Sequence, residues 1–560
     1  MKVILVTILS CLISLSVFAA KPSGLGKPSA APEVYQLKSP VQQAQELLKQ
    51  QGLYDGETDG VKTPALVDAI KAYQLKHGLK QTGRITASLL EHIENIGRVH
   101  ALILRLDVVR KERQAKARQA LLSNPATRKL LEQKNVEVAD PTRDVSKCFE
   151  TPSSDCLLKE AVESSRAVFE DDLRDWALGE ILSAQVSTGL SDAAMETAGR
   201  IKDSRLVIAA LTNIAKTQAK EGKISEALSG LHLIPVAQRR LSVLLEVAAI
   251  HEEAGDKNQQ IDTINKILAG VLAVERLEER LSIKIQAAEA LASADKKRSL
   301  RLLEEISETV RNQLKDSSQT TLLRQSASAM AKAGYPEWAL KALDDLPDNE
   351  TRIPVLMAAS RAFLAEKRFE AARRTIQRIS APRYRSVILS DLTQSLWENQ
   401  QAEPAMKTLA EAQTLANSIK LPFAKNYALS KITETLITIA SQSKDSLKAE
   451  QAYHILDKIK DDRLKAKGLW NLSSASRQHG LIVQKADLEK ETSKAMNQIK
   501  SQFSKAWILG DLADLHFSSG QKDQAEKAFK LGLQTVRDIK NPWARSRALA
   551  KFGAVIHRLD

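Results

Sequence analysis

At 560 residues the chain is too long for one ordinary core and long enough for several domains or one extended array. Apolar residues make up 43% but aromatics only 4%, with 22 Gly and 16 Pro, which argues against sheet-rich domains and predicts a helix-rich protein packed by aliphatic and small residues. The net charge of +14 favours anionic surfaces as partners, although the scarcity of aromatics speaks against single-stranded nucleic acid.

In chain order, residues 1–19 read as a secretory signal peptide. Lys2 supplies the positive start, and "VILVTILSCLISLSV" is an apolar run too short to favour a membrane span. "VFA" places cleavage after Ala19. A second reading makes Cys11 a lipid-attachment site, since "ILSC" loosely resembles a lipobox. No other stretch has the length and apolarity of a membrane span, so an exported, periplasmic protein with no transmembrane segment in its mature form is expected. Residues 20–39, rich in Pro, Ser, Gly and Ala, read as a flexible linker.

Residues 40–95 predict a compact three-helix unit. Val41, Ala44, Leu47 and Leu48 recur at helical spacing until Gly52 stops the helix. "YDGETDG" is a turn-rich loop in which Asp55 and Asp59 are placed to bond their own backbone. Pro64 opens a second helix, and Ala65, Ala69, Ile70 and Tyr73 form its buried stripe. "GLKQTGRIT" is a second tight loop, with Thr86 as the cap of a third helix.

This stretch resembles the peptidoglycan-binding domain family found beside wall hydrolases and transpeptidases. The resemblance rests on Gln45, Leu48, Gly52, Tyr54, Gly56, Asp59-Gly60, Pro64, Ala69-Ile70, Tyr73-Gln74, Gly78-Leu79, Gly83 and Thr86, in family order across residues 41–93. Thr63 and Leu66 depart from it, where Gly and Thr are usual. It implies peptidoglycan as ligand, with Tyr54, Asp59, Tyr73 and Gln74 as a shallow surface for sugar or stem peptide. Each of these has a competing structural role: Tyr73 as core, Asp59 as a turn bond, Tyr54 and Gln74 as either.

Residues 96–147 read as a basic helical connector. Ten Lys/Arg between Arg98 and Lys134 face three acids (Asp107, Glu112, Glu132), giving either a solvated helix face or an attachment to an anionic surface. Cys148 and Cys156, the two cysteines beyond the leader, are expected to form one disulfide closing "CFETPSSDC".

From residue 148 to 560 the chain repeats itself. Leu178, Leu211 and Leu244 are 33 apart, as are Gly189, Gly222 and Gly255. A turn residue followed five positions later by Ala recurs at Gly189/Ala194, Gly222/Ala227, Gly334/Ala339, Glu366/Ala371, Gln400/Ala405 and Gly520/Ala525. Each unit closes on an aliphatic, then Asp or Pro, then Arg, as in "IKDSR" (201–205) and "IKNPWAR" (539–545). These marks predict helix hairpins joined at a left-handed turn, ten or eleven in all, stacked because one pair cannot bury its own faces. They resemble the tetratricopeptide family of α-solenoids, though the Gly–Tyr elements of that family's first helix are mostly missing. Trp176 and Trp507 share the register Trp-x-Leu-Gly-acid-aliphatic.

The fold class expected is therefore all-α: a small peptidoglycan-binding-like domain followed by a tetratricopeptide-like α-solenoid. No catalytic constellation is expected. The nine histidines include no close metal-ligand spacing. "ESS" at 163–165 lacks the context of a lytic transglycosylase, and "EGK" at 221–223 lacks the upstream glycine of a phosphate loop. The expected function is a non-catalytic adaptor, without cofactor or metal, that holds peptidoglycan and docks an envelope protein on a long concave surface. The alternative is a cryptic or degenerate wall-modifying enzyme of the hydrolase class.

Overall fold

The computed structural model describes residues 39–132, 138–484 and 486–559. The leader, Cys11, the linker up to residue 38 and Lys134 lie outside the described residues. All regular elements among the described residues are helices. Two compact units divide the described residues, one up to Arg110 and the other from Lys111 onward.

The first unit is built from α1 (Pro40–Gln50), α2 (Pro64–Lys76) and the start of α3 (Ala87–Leu122). Each helix has its orphan N–H groups answered by a hydroxyl: Ser39 Oγ accepts from Gln42 N at 3.1 Å, and Thr63 and Thr86 Oγ1 accept from Leu66 N and Leu89 N, both at 3.2 Å. Pro40 and Pro64 occupy first-turn positions, where a missing N–H costs nothing. Leu48, Tyr54, Leu66, Ile70, Tyr73, Leu89 and Ile93 make the core.

The second unit begins within α3 and continues through α4 (Pro125–Glu132), α5 (Ser146–Glu150) and α6 (Ser154–Arg166). The Cys148–Cys156 disulfide joins α5 to the first turn of α6. Ten hairpins follow. The first four are α7 (Asp171–Ser187) with α8 (Ser191–Gly199), α9 (Ser204–Lys220) with α10 (Ile224–Ser229), α11 (Ala237–Glu253) with α12 (Lys257–Gly270), and α13 (Leu277–Leu291) with α14 (Lys296–Gln313). Next come α15 (Asp316–Lys332) with α16 (Pro336–Lys341), α17 (Asn349–Ala365) with α18 (Phe369–Gln377), and α19 (Pro382–Glu398) with α20 (Ala402–Ser418). The last three are α21 (Pro422–Ser443) with α22 (Ser446–Asp457), α23 (Asp462–His479) with α24 (Leu488–Gln498), and α25 (Gln502–Ser518) with α26 (Lys522–Arg537). A single helix, α27 (Pro542–Leu559), ends the array.

The repeat marks have clear physical meaning. Gly189, Gly222, Gly334 and Gly520 hold positive φ at the hairpin turn, and Ala194, Ala227, Ala339 and Ala525 are fully buried where the two helices approach. One register is corrected. The left-handed residue of the α17–α18 turn is Lys367 (φ 58°), and the buried alanine is Ala372, each one position beyond the expected Glu366/Ala371. Successive pairs are also tied by a polar staple. Asp175, buried in α7, accepts from Lys202 N (3.1 Å) and Asp203 N (2.7 Å) at the entry to α9. Asn426 in α21 accepts from Lys460 N (3.1 Å) before α23.

The stack does not end as an open superhelix. Helix α6, which precedes the first pair, packs on α27 as a second helix would, and α27 also lies against α7. Ser154 Oγ donates to Gly553 O at 2.8 Å, and a Cβ at Gly553 would come within 2.8 Å of Leu158 Cγ, so glycine is what permits the approach. Leu157, Leu158 and Ala161 are buried in the junction. Ten hairpins and this composite pair make eleven, and they form a closed ring. First helices touch first helices all round, so they line the inner wall and the second helices lie outside.

Closure carries a test. Leu158→Ala is expected to lower the stability of the ring by about 2–5 kcal/mol, like a truncation inside any hairpin. Gly553→Val should force α6 off α27. Denaturant unfolding with limited proteolysis checks both: new cleavage in 133–170 is expected for Gly553→Val, and an unchanged pattern would show that α6 does not complete the last pair.

Candidate binding surfaces

In the small unit the two turn-rich loops are held by buried glutamines. Gln45, fully buried on α1, donates through Nε2 to Asp59 Oδ1 (2.9 Å) and Val61 O (3.0 Å) and accepts from Gly60 N (2.7 Å). Gln74 on α2 accepts from Thr82 N (2.8 Å) and Gly83 N (3.0 Å) and donates to Thr82 Oγ1 (3.0 Å). Each amide supplies the donors and acceptor its loop lacks, which is what makes such buried polar groups tolerable. Gly83 must be glycine: its φ is +62°, and a Cβ would sit 2.8 Å from Val67 Cγ1.

The four residues expected to form a ligand surface are not equally placed. Tyr54 and Gln74 are buried, and Tyr73 has no exposed surface. Tyr54 donates to Glu57 O (3.3 Å), and the Tyr73 hydroxyl bonds His92 Nδ1 at 2.8 Å. Asp59 is exposed, and one carboxylate oxygen also accepts from Val61 N at 2.9 Å. That bond, with the one from Gln45, holds its carboxyl below the usual range. Sequence reasoning missed the partners of Tyr73. His77 and His92, both half-buried, gather round it with ring centroids 4.4 and 5.8 Å from the tyrosine and 5.8 Å from each other. They are fifteen residues apart, on α2's end and α3, so no short motif announces them. Further along α3, Val99, Leu102, Ile103 and Leu106 are exposed at helical spacing among basic residues.

In the second unit the aromatic residues concentrate where the ring closes. Arg547 on α27 forms a two-bond pair with Glu180 on α7: Nε to Oε2 and Nη2 to Oε1, both 2.8 Å. Its guanidinium lies over Trp543 (4.5 Å), Trp176 (4.8 Å), Phe503 (4.9 Å) and Trp507 (5.4 Å). Trp176 Nε1 donates to Glu180 Oε1 at 2.9 Å. Lys551 pairs with Asp511 at 2.5 Å. The shared Trp176/Trp507 register signalled these positions, but which helix faced them depended on closure.

The "ESS" segment lies on α6: Glu163 pairs with Arg143 and Arg166, and Ser165 is buried. Among the described residues no group of three or more His, Cys, Asp or Glu is arranged to hold a metal.

Residues 38–93 match the sequence family described as "Putative peptidoglycan binding domain", so the recognition of this stretch holds and extends three residues further towards the N-terminus. No curated protein matches the chain. Similar solved structures include Ton1535 from Thermococcus onnurineus NA1, at TM-score 0.28 and 14% identity, covering 59% of this chain and 96% of that one. A Podosopora anserina kinesin light chain with nearly identical TPR-like repeats gives TM-score 0.23 and 18% identity over 31% and 93%. A circular tandem repeat protein gives TM-score 0.13 and 12% identity over 93% and 97%. None carries a residue or a role across to this chain.

Two measurements follow from the small unit. Gln74→Leu leaves the Thr82 and Gly83 N–H groups without their acceptor, at about 1–3 kcal/mol each if they stay buried. Thermal unfolding of the 39–110 fragment is expected to fall accordingly, and an unchanged midpoint would mean that the loop is held otherwise. The second concerns pH. Burial, then the charges of His92 and Lys76, lower the His77 pKa. The unfolded chain therefore binds the proton first, so His77's contribution is intact above about pH 6.5 and is lost as pH falls below it. The unfolding midpoint should drop between pH 7.5 and 5, and His77→Gln should flatten that slope.

Proposed function

We propose that this protein is an exported, non-catalytic scaffold of the cell envelope, in which residues 38–93 hold peptidoglycan and the ring docks a protein partner. The observation that carries the reading is the family match over a stretch that folds as a three-helix unit with both loops fixed by Gln45 and Gln74. Fixed loops suit a shallow ligand surface, because ordering them again on binding costs little. The exposed Asp59 and the partly exposed His77 and His92 are among the polar groups this unit offers. The repeat architecture supports docking, since stacked helix pairs offer a large, regular surface. The apolar leader supports export, and no helix among the described residues is long and apolar enough to cross a membrane. The non-catalytic reading draws support from the engagement of Glu163 and Ser165 in structural contacts.

Co-sedimentation tests it. Residues 39–110 alone are expected to pellet with purified sacculi and to do so more weakly when Asp59 and His92 are both replaced by Ala. A fragment that stays in the supernatant while the full chain pellets would transfer wall binding to the ring and overturn the assignment.

A further inference from the structure

The ring carries a built concavity on its inner wall, at the seam where α27 meets α7. Its volume is about 740 Å³, and it is an open groove, not an enclosed cavity. Trp176, Trp507, Glu180, Asn213, Arg547 and Lys551 supply its chemistry. Apart from Asp175 and Leu206, the rest of the lining is small, including Gly179, Ser183 and Ala554, which leaves room between the large side chains. A Cβ added at Gly179 would meet nothing within 4 Å.

Three properties select the ligand. Trp176 is held by Glu180 and Arg547 yet keeps 51% of its surface exposed, which offers a rigid, flat apolar face. The charges beside it are spent on each other, Arg547 with Glu180 and Lys551 with Asp511, so the mostly apolar site carries a few polar groups and no unpaired charge from these residues. An anionic ligand would have to break a pair in which Arg547 is itself almost buried. Asn213 is exposed on α9 and adds an uncharged donor and acceptor. A neutral molecule with a flat apolar face and a rim of hydroxyl and amide groups satisfies all three.

We infer that the seam binds a saccharide of N-acetylated amino sugars, one ring stacked on Trp176 and its polar rim bonded to Glu180 and Asn213. The choice of this sugar class rests in part on the wall-binding reading of residues 38–93; the neutral, aromatic character of the site does not. The protein would then hold glycan at a second place, inside the ring.

The experiment is a titration of the full chain with the β-1,4-linked N-acetylglucosamine tetramer, followed by tryptophan emission. All six tryptophans lie at or beyond Trp176, so the small unit is silent in this readout. A saturable change is expected. Gly179→Met keeps every tryptophan, strains no backbone and fills the concavity; it should weaken the response at least about tenfold, and Asn213→Ala by a smaller factor. Trp338→Phe, on α16, should leave it intact. Circular dichroism establishes that Gly179→Met is folded. Absence of a saturable change in the wild type, an undiminished response in folded Gly179→Met, its loss in Trp338→Phe, or a response to an acidic peptide but not to the sugar would each overturn the proposal. Sacculus pelleting, measured alongside, is expected to survive Gly179→Met; its failure in the wild type would sink the wall-binding reading and leave the seam's response to stand or fall alone.

Discussion

The packing of α6 on α27 decides what the second unit is. An open solenoid has two ends, and each leaves one helix pair with an apolar face that must be capped by a polar surface. The apolar face of α27 is covered by Leu157, Leu158 and Ala161, which come from nearly four hundred residues earlier. The same contact covers the other end, because α6 and α27 both pack on α7. One junction therefore removes both exposed faces. The entropy of closing so long a segment rises only slowly with its length, so burial of a helix face offsets it.

Closure also changes the surface on offer. In an open superhelix the first helices form a groove that a partner enters from the side. In a ring they form an inner wall, and the second helices form an outer one. The expectation of a long concave docking surface thus becomes two distinct surfaces of different character. The seam stands out on the inner wall: Trp543 and Phe503 occupy equivalent places on adjacent first helices, each four residues after the Ile of an "IK" step, and together with Trp176 and Trp507 they surround Arg547. The aromatic residues of an aromatic-poor chain are concentrated where the ends join. That placement sets one guanidinium, Arg547, among four rings at the junction.

Much of this was legible in the sequence, for local reasons. Positive-φ glycines and close-approach alanines act within one hairpin, so a regular spacing reveals them. The turn at Lys367 was misplaced by one residue because no glycine marks it, and a Glu-Lys step offers no local ground for choosing the left-handed position. Closure was not legible. It joins helices at opposite ends of the array, and α6 alone reads as one more amphipathic helix. In the small unit the motif residues were found but their uses were not. Gln45 and Gln74 are polar, so a reading based on apolar periodicity places them outside, whereas loops with unpaired N–H groups draw them in.

The same argument explains why the small unit's motif is conspicuous although so little of it reaches the surface. A domain of about fifty residues buries too little apolar area to hold long loops by packing alone. Side-chain amides and turn residues must therefore fix the loops one bond at a time, and each bond demands a particular residue: an amide at 45, an Asx turn at 59, a glycine at 83. Such a motif records the cost of rigidity more than the identity of the ligand. The lettered pattern then identifies the frame, which Tyr73 and the two glutamines hold from within, while Asp59 stays exposed and His77 and His92 partly so.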